Sequence, residues 1–142
     1  MRINFTISGP AVGKERARRG KYGNWYSPRE TVEYEEQVGI LARQALGGKQ
    51  LTPPLGIGIM VYEKRRKLDL DNIQKILFDS LAHPKWGIIK DDRAFIIVYA
   101  QAIQSDEEKV KVTIWEEEDD RGEVRVNPQN FGMEPHCGQK PI

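Results

Sequence analysis

The stretch from residue 55 to residue 84 joins a strand pattern to a helix pattern, and this pairing constrains the fold more than any other feature. Residues 55–62 read Leu-Gly-Ile-Gly-Ile-Met-Val-Tyr, an apolar run of strand length. After a short basic run, apolar side chains recur at helical spacing, at Leu70, Ile73, Ile76, Leu77 and Leu81. His83-Pro84 predicts the end of this helix. A strand followed by an amphipathic helix indicates an α/β protein.

Patterns on both sides extend this unit to the order β-α-β-α-β-β. Residues 3–7 alternate apolar and polar side chains, which predicts a half-buried strand. A first helix is expected to start with Ser27 as N-cap and Pro28 at its first position, and to end at Gly47-Gly48. Its predicted apolar side consists of Val32, Val38, Leu41, Ala42 and Ala45. Residues 11–26 predict a loop, and 95–103 and 110–115 predict two final strands that form an antiparallel hairpin.

The length of 142 residues predicts one compact domain with a mixed sheet and two helices. We assign residues 1–117 to this domain and 118–142, acidic and then rich in Pro, Gly and Asn, to a flexible tail. No apolar run reaches the ~18 residues of a membrane span. Cys137 is the single cysteine, so an intrachain disulfide is excluded, and a reducing cytoplasm is expected.

Basic residues cluster in two segments although the formal net charge is only +1. One segment lies within residues 13–29, and the other is the run 64–67. Such segments can form a positive surface for a polyanion, but a solvated surface of mixed charge explains them equally well. The candidates for phosphate contacts are Lys14, Arg16, Arg18, Arg19, Lys21, Lys64, Arg65, Arg66 and Lys67.

Acidic residues near the second helix carry the strongest chemical signal. Asp69 and Asp71 stand at the predicted strand-to-helix junction, and Asp91-Asp92 follows about 20 residues later, before a strand that we expect to return beside the helix start. Converging carboxylates repel one another unless a cation neutralises them. Magnesium held by such groups can activate water and stabilise charge during phosphodiester hydrolysis. Lys75 would then steady the phosphate or the attacking water.

Each of these residues also has a simpler interpretation. Asp69 is suited to cap a helix, and Asp91-Asp92 to form a turn. Lys75 is spaced i, i+4 from both Asp71 and Asp79, which suits exposed ion pairs. A calcium-binding EF-hand loop is excluded, because its fifth, sixth and twelfth positions would be Ile73, Gln74 and Ser80. The joint occurrence of the acids, the lysine and the upstream basic run favours a metal site.

The chain resembles the RusA family of Holliday junction resolvases over roughly residues 3–115. The central match is Asp69-Leu70-Asp71-Asn72-Ile73-Gln74-Lys75, followed by Phe78-Asp79-Ser80-Leu81 and Asp91-Asp92. The N-terminal part also matches, at Ile7-Ser8-Gly9-Pro10, Lys14, Arg16, Tyr26-Ser27-Pro28 and Glu33-Tyr34-Glu35. Leu68 and Ala94 depart from the family pattern, in which Arg and a polar residue are often seen.

The resemblance implies a homodimeric, magnesium-dependent endonuclease of DNA recombination and repair, encoded by a bacterium or a phage, that nicks two opposing strands of a four-way junction. It implies that Asp69, Asp71 and one of Asp91 and Asp92 bind the metal, and that Lys75 is the essential lysine. Asp92 is the favoured member of the pair, because the family places an apolar residue three positions later, here Phe95.

Two other functions stay open at this point. The first is a related nuclease for other branched or flapped DNA. The second is a non-catalytic module that binds branched DNA and uses the acids structurally. The second is disfavoured, because converging carboxylates without metal repel DNA.

Overall fold

The computed structural model describes residues 1–14, 18–19, 25–26 and 29–117. It confirms the α/β class and the order β-α-β-α-β-β, with two helices and a mixed four-stranded sheet. The main elements are β1 (Arg2–Ser8), α1 (Arg29–Leu46), β4 (Leu55–Glu63), α2 (Leu70–Ala82), β5 (Phe95–Gln104) and β6 (Lys109–Glu116). The predicted cap residues Ser27 and Pro28 and the predicted tail 118–142 lie outside the described residues.

The four strands lie in the order β1-β6-β4-β5. β6 is antiparallel to both β1 and β4, whereas β4 and β5 are parallel. The predicted hairpin of the last two strands is therefore wrong, because β4 lies between them. Their connection passes the end of β4, where the backbone N–H of Ser105 donates to the carbonyl of Glu63 at 3.0 Å. The almost continuous apolar sequence of β4 fits a central strand that is buried on both faces.

Two short strands within the predicted loop 11–26 were not expected from the sequence. β2 (Arg18–Arg19) and β3 (Trp25–Tyr26) pair antiparallel, with Arg18 opposite Tyr26 and Arg19 opposite Trp25. Strands of two residues are too short to produce a recognisable period-two pattern.

The helix α1 ends where the sequence predicts, at two glycines with positive φ, 57° at Gly47 and 86° at Gly48. Its buried side differs from the prediction at Val32, which is exposed. Buried residues recur at Thr31, Val38 and Ala42, and Val32 points about 100° away from that line. The core lies between the helices and the sheet and includes the inward residues of β4 and the apolar side of α2.

The helix α2 connects two parallel strands, and this determines where its ends lie. It starts beyond the carboxyl end of β4 and leads to the amino end of β5, so its two ends lie near opposite ends of the strands. With 13 residues it is about 20 Å long. Stacking of Phe78 on Phe95, with ring centroids 5.0 Å apart, packs the start of β5 beside the second half of α2. None of the described helices is long and apolar enough to span a membrane.

Candidate metal and nucleic-acid site

The start of α2 presents two exposed carboxylates, one from its N-cap residue and one from its first turn. Asp69 occupies the N-cap position, and its carbonyl oxygen accepts hydrogen bonds from the backbone N–H groups of Asn72 at 3.1 Å and Ile73 at 3.3 Å. The Asp69 carboxylate makes no capping hydrogen bond. Asp71 follows within the first turn, and both side chains are exposed. The helix therefore begins without consuming the Asp69 carboxylate, which is left available to a ligand.

The segment that leaves β1 runs alongside this first turn. The backbone N–H of Lys14 donates to the carbonyl of Asn72 at 3.1 Å. A Cβ atom added to Gly13 would lie 3.3 Å from Asn72 Cβ, so glycine permits this close approach. The strands β1 and β4 lie on either side of β6 and end near its residue Lys109, so both end on the same side of the sheet. Residues 11–14 and the basic run 64–67, which follow these strands, therefore both flank the start of α2.

The basic run 64–67 is exposed throughout. Arg66 Nη1 lies 2.7 Å from Glu63 Oε1, and Glu63 is a buried residue at the end of β4. The other three cations, Lys64, Arg65 and Lys67, form no ion pair with any described residue. This loop therefore offers one anchored guanidinium and three free positive charges next to the carboxylates of α2.

Lys75 lies one turn after Asp71 and is exposed. The ion pairs that its spacing allows are absent from the described part of the chain: neither Asp71 nor Asp79 pairs with it. Asp79 Oδ2 lies instead 3.2 Å from Lys14 Nζ, and Glu35 Oε1 lies 2.5 Å from the same nitrogen. Partial burial lowers the pKa of Lys14, but hydrogen bonds to Glu35 and Asp79 outweigh it and raise that pKa above its ordinary value.

Asp91 and Asp92 have different surroundings although they are adjacent. Asp91 caps the short 3-10 helix Asp92–Ala94, where its Oδ1 accepts from the backbone N–H of Arg93 at 2.8 Å. The Arg93 guanidinium also donates to both Asp91 oxygens, at 3.2 and 3.0 Å, and this side-chain hydrogen bonding lowers the pKa of Asp91. Asp92 is exposed, and no described residue donates a hydrogen bond to its carboxylate.

The structure brings together only part of the predicted site within one chain. Asp69, Asp71 and Lys75 lie at or near the start of α2, beyond the carboxyl end of β4. Asp92 lies at the start of β5, and because β4 and β5 are parallel, this is the opposite end of the strands. No three acidic, histidine or cysteine side chains within the described ranges converge closely enough to hold a metal ion. The expectation that the strand return places Asp91-Asp92 beside the helix start is not met within one chain, because the parallel crossover separates the two ends of α2.

Some predicted phosphate contacts lie beyond what the structure describes. Arg16 and Lys21 fall outside the described residues, and for Arg18 and Arg19 only the backbone strand is described. Conversely, sequence reasoning gave no role to Glu35 or Glu63, which hold Lys14 and Arg66. Glu35 stands 21 residues from Lys14, so no local spacing links them.

Comparison with protein families shows one match. The family described as Endodeoxyribonuclease RusA matches residues 8–115, well over half of the chain. A comparison with curated proteins finds no match. The matched range includes both helices, the basic run 64–67 and all the candidate acidic residues.

Proposed function

Since this chain belongs to the RusA family of endodeoxyribonucleases, we propose that it resolves four-way DNA junctions by magnesium-dependent hydrolysis of two phosphodiester bonds. The observation that carries the proposal is the start of α2. There, the exposed carboxylates of Asp69 and Asp71 lie close to the basic run 64–67 and have no hydrogen-bond donor within the part of the chain that the structure describes. Carboxylates repel DNA, and basic side chains attract it, so this juxtaposition suits a metal-dependent phosphodiesterase better than a passive DNA-binding surface.

The donor set suits magnesium, which prefers carboxylate oxygens and water. We assign Asp69, Asp71 and Asp92 as its ligands, because each carboxylate is exposed and has no hydrogen-bond donor among the described residues. Asp91 is the poorer candidate, since Arg93 already occupies both of its oxygens. When bound, the metal supplies an activated water and neutralises charge on the phosphate. The unpaired Lys75 ammonium donates to a phosphate oxygen or orients the water.

We further propose that the active enzyme is a homodimer in which each metal site is shared between subunits. One chain keeps Asp92 apart from Asp69 and Asp71, so a second copy is a natural source of the third carboxylate. β5 is an edge strand, and Ile96 and Val98 near its start are 47% and 42% exposed, an apolar surface next to Asp92. A two-fold dimer also matches the approximate two-fold symmetry of a four-way junction.

Basic side chains would hold the DNA backbone around this centre. We assign this role to Lys64, Arg65 and Lys67, and to Arg66, which is held in place by its ion pair with Glu63. The N-terminal cations Arg16, Arg18, Arg19 and Lys21 are proposed for the same role from the sequence. Such an enzyme would act in recombination and repair in the cytoplasm of a bacterium, encoded by the host or by a phage.

The test uses three labelled substrates, a four-way junction, a flap and a plain duplex, each incubated with the protein with and without magnesium. We expect symmetric nicks in the junction only when magnesium is present. Preferred cleavage of the flap would support a nuclease for other branched DNA. Junction binding without cleavage at any magnesium concentration would support a non-catalytic module.

A further inference from the structure

Three charged side chains from three parts of the chain meet beside α2. Lys14 Nζ lies between Glu35 Oε1 of α1, at 2.5 Å, and Asp79 Oδ2 of α2, at 3.2 Å. The Lys14 and Glu35 side chains are 28% and 18% exposed, whereas Asp79 is 55% exposed. The cluster therefore has a sheltered Lys14–Glu35 pair, and Asp79 is its outer member.

Asp79 has a second possible partner on its own helix. Lys75 stands four residues earlier, a spacing at which lysine and aspartate commonly pair on a helix surface. In the structure Asp79 pairs with Lys14, and Lys75 pairs with none of the described carboxylates. The choice between these two partners decides whether the Lys75 ammonium is free.

We propose that Lys14 is a positioning residue: by occupying the Asp79 carboxylate it leaves the Lys75 ammonium free to meet a DNA phosphate. The inference rests on the catalytic role proposed for Lys75. Glu35 pairs with the same ammonium from the other side, and the Lys14–Asp79 pair does not depend on it. Without the Lys14 charge, Asp79 turns to the remaining cation one helical turn away, Lys75, whose ammonium is then no longer free to meet the phosphate.

This role differs from the direct phosphate contact that the sequence predicts for Lys14. The Lys14 ammonium already donates to two carboxylates, so the three groups together carry a net negative charge. A phosphate that approached Lys14 would meet two competing acceptors of its own sign. The free cations of the run 64–67 carry no such competition.

The experiment compares four proteins in single-turnover cleavage of a four-way junction at saturating protein: wild type, Lys14→Met, Asp79→Asn and the double variant. Methionine keeps an unbranched apolar stem and removes the charge. We expect Lys14→Met to cleave about fivefold more slowly, which corresponds to the upper end for a partly exposed ion pair. Asp79→Asn and the double variant should stay within about twofold of wild type, because neither has the Asp79 carboxylate that competes for Lys75 in the Lys14→Met protein.

A second readout does not depend on cleavage. The chemical shift of the Lys75 side-chain nitrogen should change when Asp79→Asn is added to the Lys14→Met protein. It should not change when Asp79→Asn is introduced into the wild-type protein. Glu35→Gln is the matched control, since it weakens the cluster but leaves Lys14 on Asp79, and it should cleave within about twofold of wild type. A rate as slow as that of Lys14→Met would mean that the cluster acts through packing, which overturns the proposal.

Two further outcomes overturn the proposal. A double variant as slow as Lys14→Met would show that Asp79 does not mediate the effect. A log–log salt slope of junction binding that falls by about 1 in Lys14→Met would show a direct phosphate contact. A Lys75→Ala control separates the role of Lys14 from that of Lys75. If Lys75→Ala cleaves normally, the catalytic role of Lys75 fails. If it cleaves slowly but Asp79→Asn does not restore the rate of Lys14→Met, only the role of Lys14 fails.

Discussion

Asp91 and Asp92 are chemically identical neighbours, but of the two carboxylates only that of Asp91 accepts hydrogen bonds from the described residues. Arg93 donates to Asp91 from its backbone and from its guanidinium, so metal binding at Asp91 would have to break these bonds. Asp92 would lose nothing of this kind. The comparison therefore gives a physical reason for favouring Asp92 that the sequence alone did not contain.

We expect Asp92→Asn to abolish junction cleavage, because it removes a proposed metal ligand, and to leave junction binding intact. Asp91→Asn should retain most activity, since its carboxylate caps a short helix and pairs with Arg93. Single-turnover cleavage and gel-shift binding measure the two effects separately. The reverse order of losses would transfer the ligand assignment to Asp91.

Lys75→Ala is expected to slow cleavage about 10²–10³-fold, the scale for deleting one preorganised charge-stabilising donor. Because Lys75 is exposed and pairs with no described carboxylate, its loss should change the free energy of unfolding by less than ~0.5 kcal/mol. Arginine should restore little activity, since a planar fork does not replace a compact ammonium. Single-turnover cleavage and denaturant unfolding provide the two measurements.

Lys49→Ala is the matched control for this prediction, because Lys49 is an exposed lysine beyond the end of α1. It should leave both cleavage and stability unchanged. Near-wild-type cleavage by Lys75→Ala would remove Lys75 from the active site.

At the scale of elements, the predictions succeeded where the pattern is local. The period-two alternation of residues 3–7 gave β1, and the helical spacing from Leu70 to Leu81 gave α2 within a residue at each end. The predicted glycine pair ended α1. Where partners are distant in sequence, prediction failed: β5 and β6 are consecutive and antiparallel in direction, yet each pairs with β4. The spacing of residues along the chain does not indicate which strand lies between two others in the sheet.

The same distinction holds for the candidate site. The grouping of Asp69, Asp71 and Lys75 at the start of α2 could be predicted from their spacing. The separation of Asp92 from them could not, because it depends on β4 and β5 being parallel. The ion pairs of Lys14 likewise join three segments that are distant in sequence. The sequence therefore suggests which side chains to consider for a site, and the topology decides which of them meet.

The basic loop between β4 and α2 yields a prediction at this scale. Replacing Lys64, Arg65 and Lys67 with alanine should weaken junction binding and reduce its log–log salt slope by about 3, one for each lost phosphate contact. The three side chains are exposed and unpaired among the described residues, so thermal stability should barely change. Junction affinity measured over a series of salt concentrations provides the slope.

The control for the loop replaces Arg43 and Lys49, two exposed cations near the end of α1, with alanine. This pair removes positive charge without touching the loop, so the salt slope should stay close to that of wild type. An unchanged slope in the triple variant would exclude the loop from the DNA interface.

At the scale of the whole molecule, the question is whether one subunit contains a complete metal site. Asp69 and Asp71 lie at the start of α2. Asp92 lies at the start of β5, near the other end of α2. No described group of three acidic side chains converges in the single chain. A site shared across a two-fold dimer would join the α2 carboxylates of one subunit to Asp92 of the partner subunit.

Subunit mixing tests this arrangement directly. Asp69→Asn and Asp92→Asn proteins should each be inactive alone. In a shared-site heterodimer of the two, one site contains both substitutions and the other contains neither, so an equal mixture should recover about a quarter of the wild-type sites. The recovered activity should give single nicks in a labelled junction, because only one site per dimer is intact. Mixing Asp69→Asn with Asp71→Asn is the control: both residues lie at the start of α2, so every site keeps one substitution, and no activity should return. Absence of recovery in the first mixture, after subunit exchange has been verified, would place each metal site within one subunit.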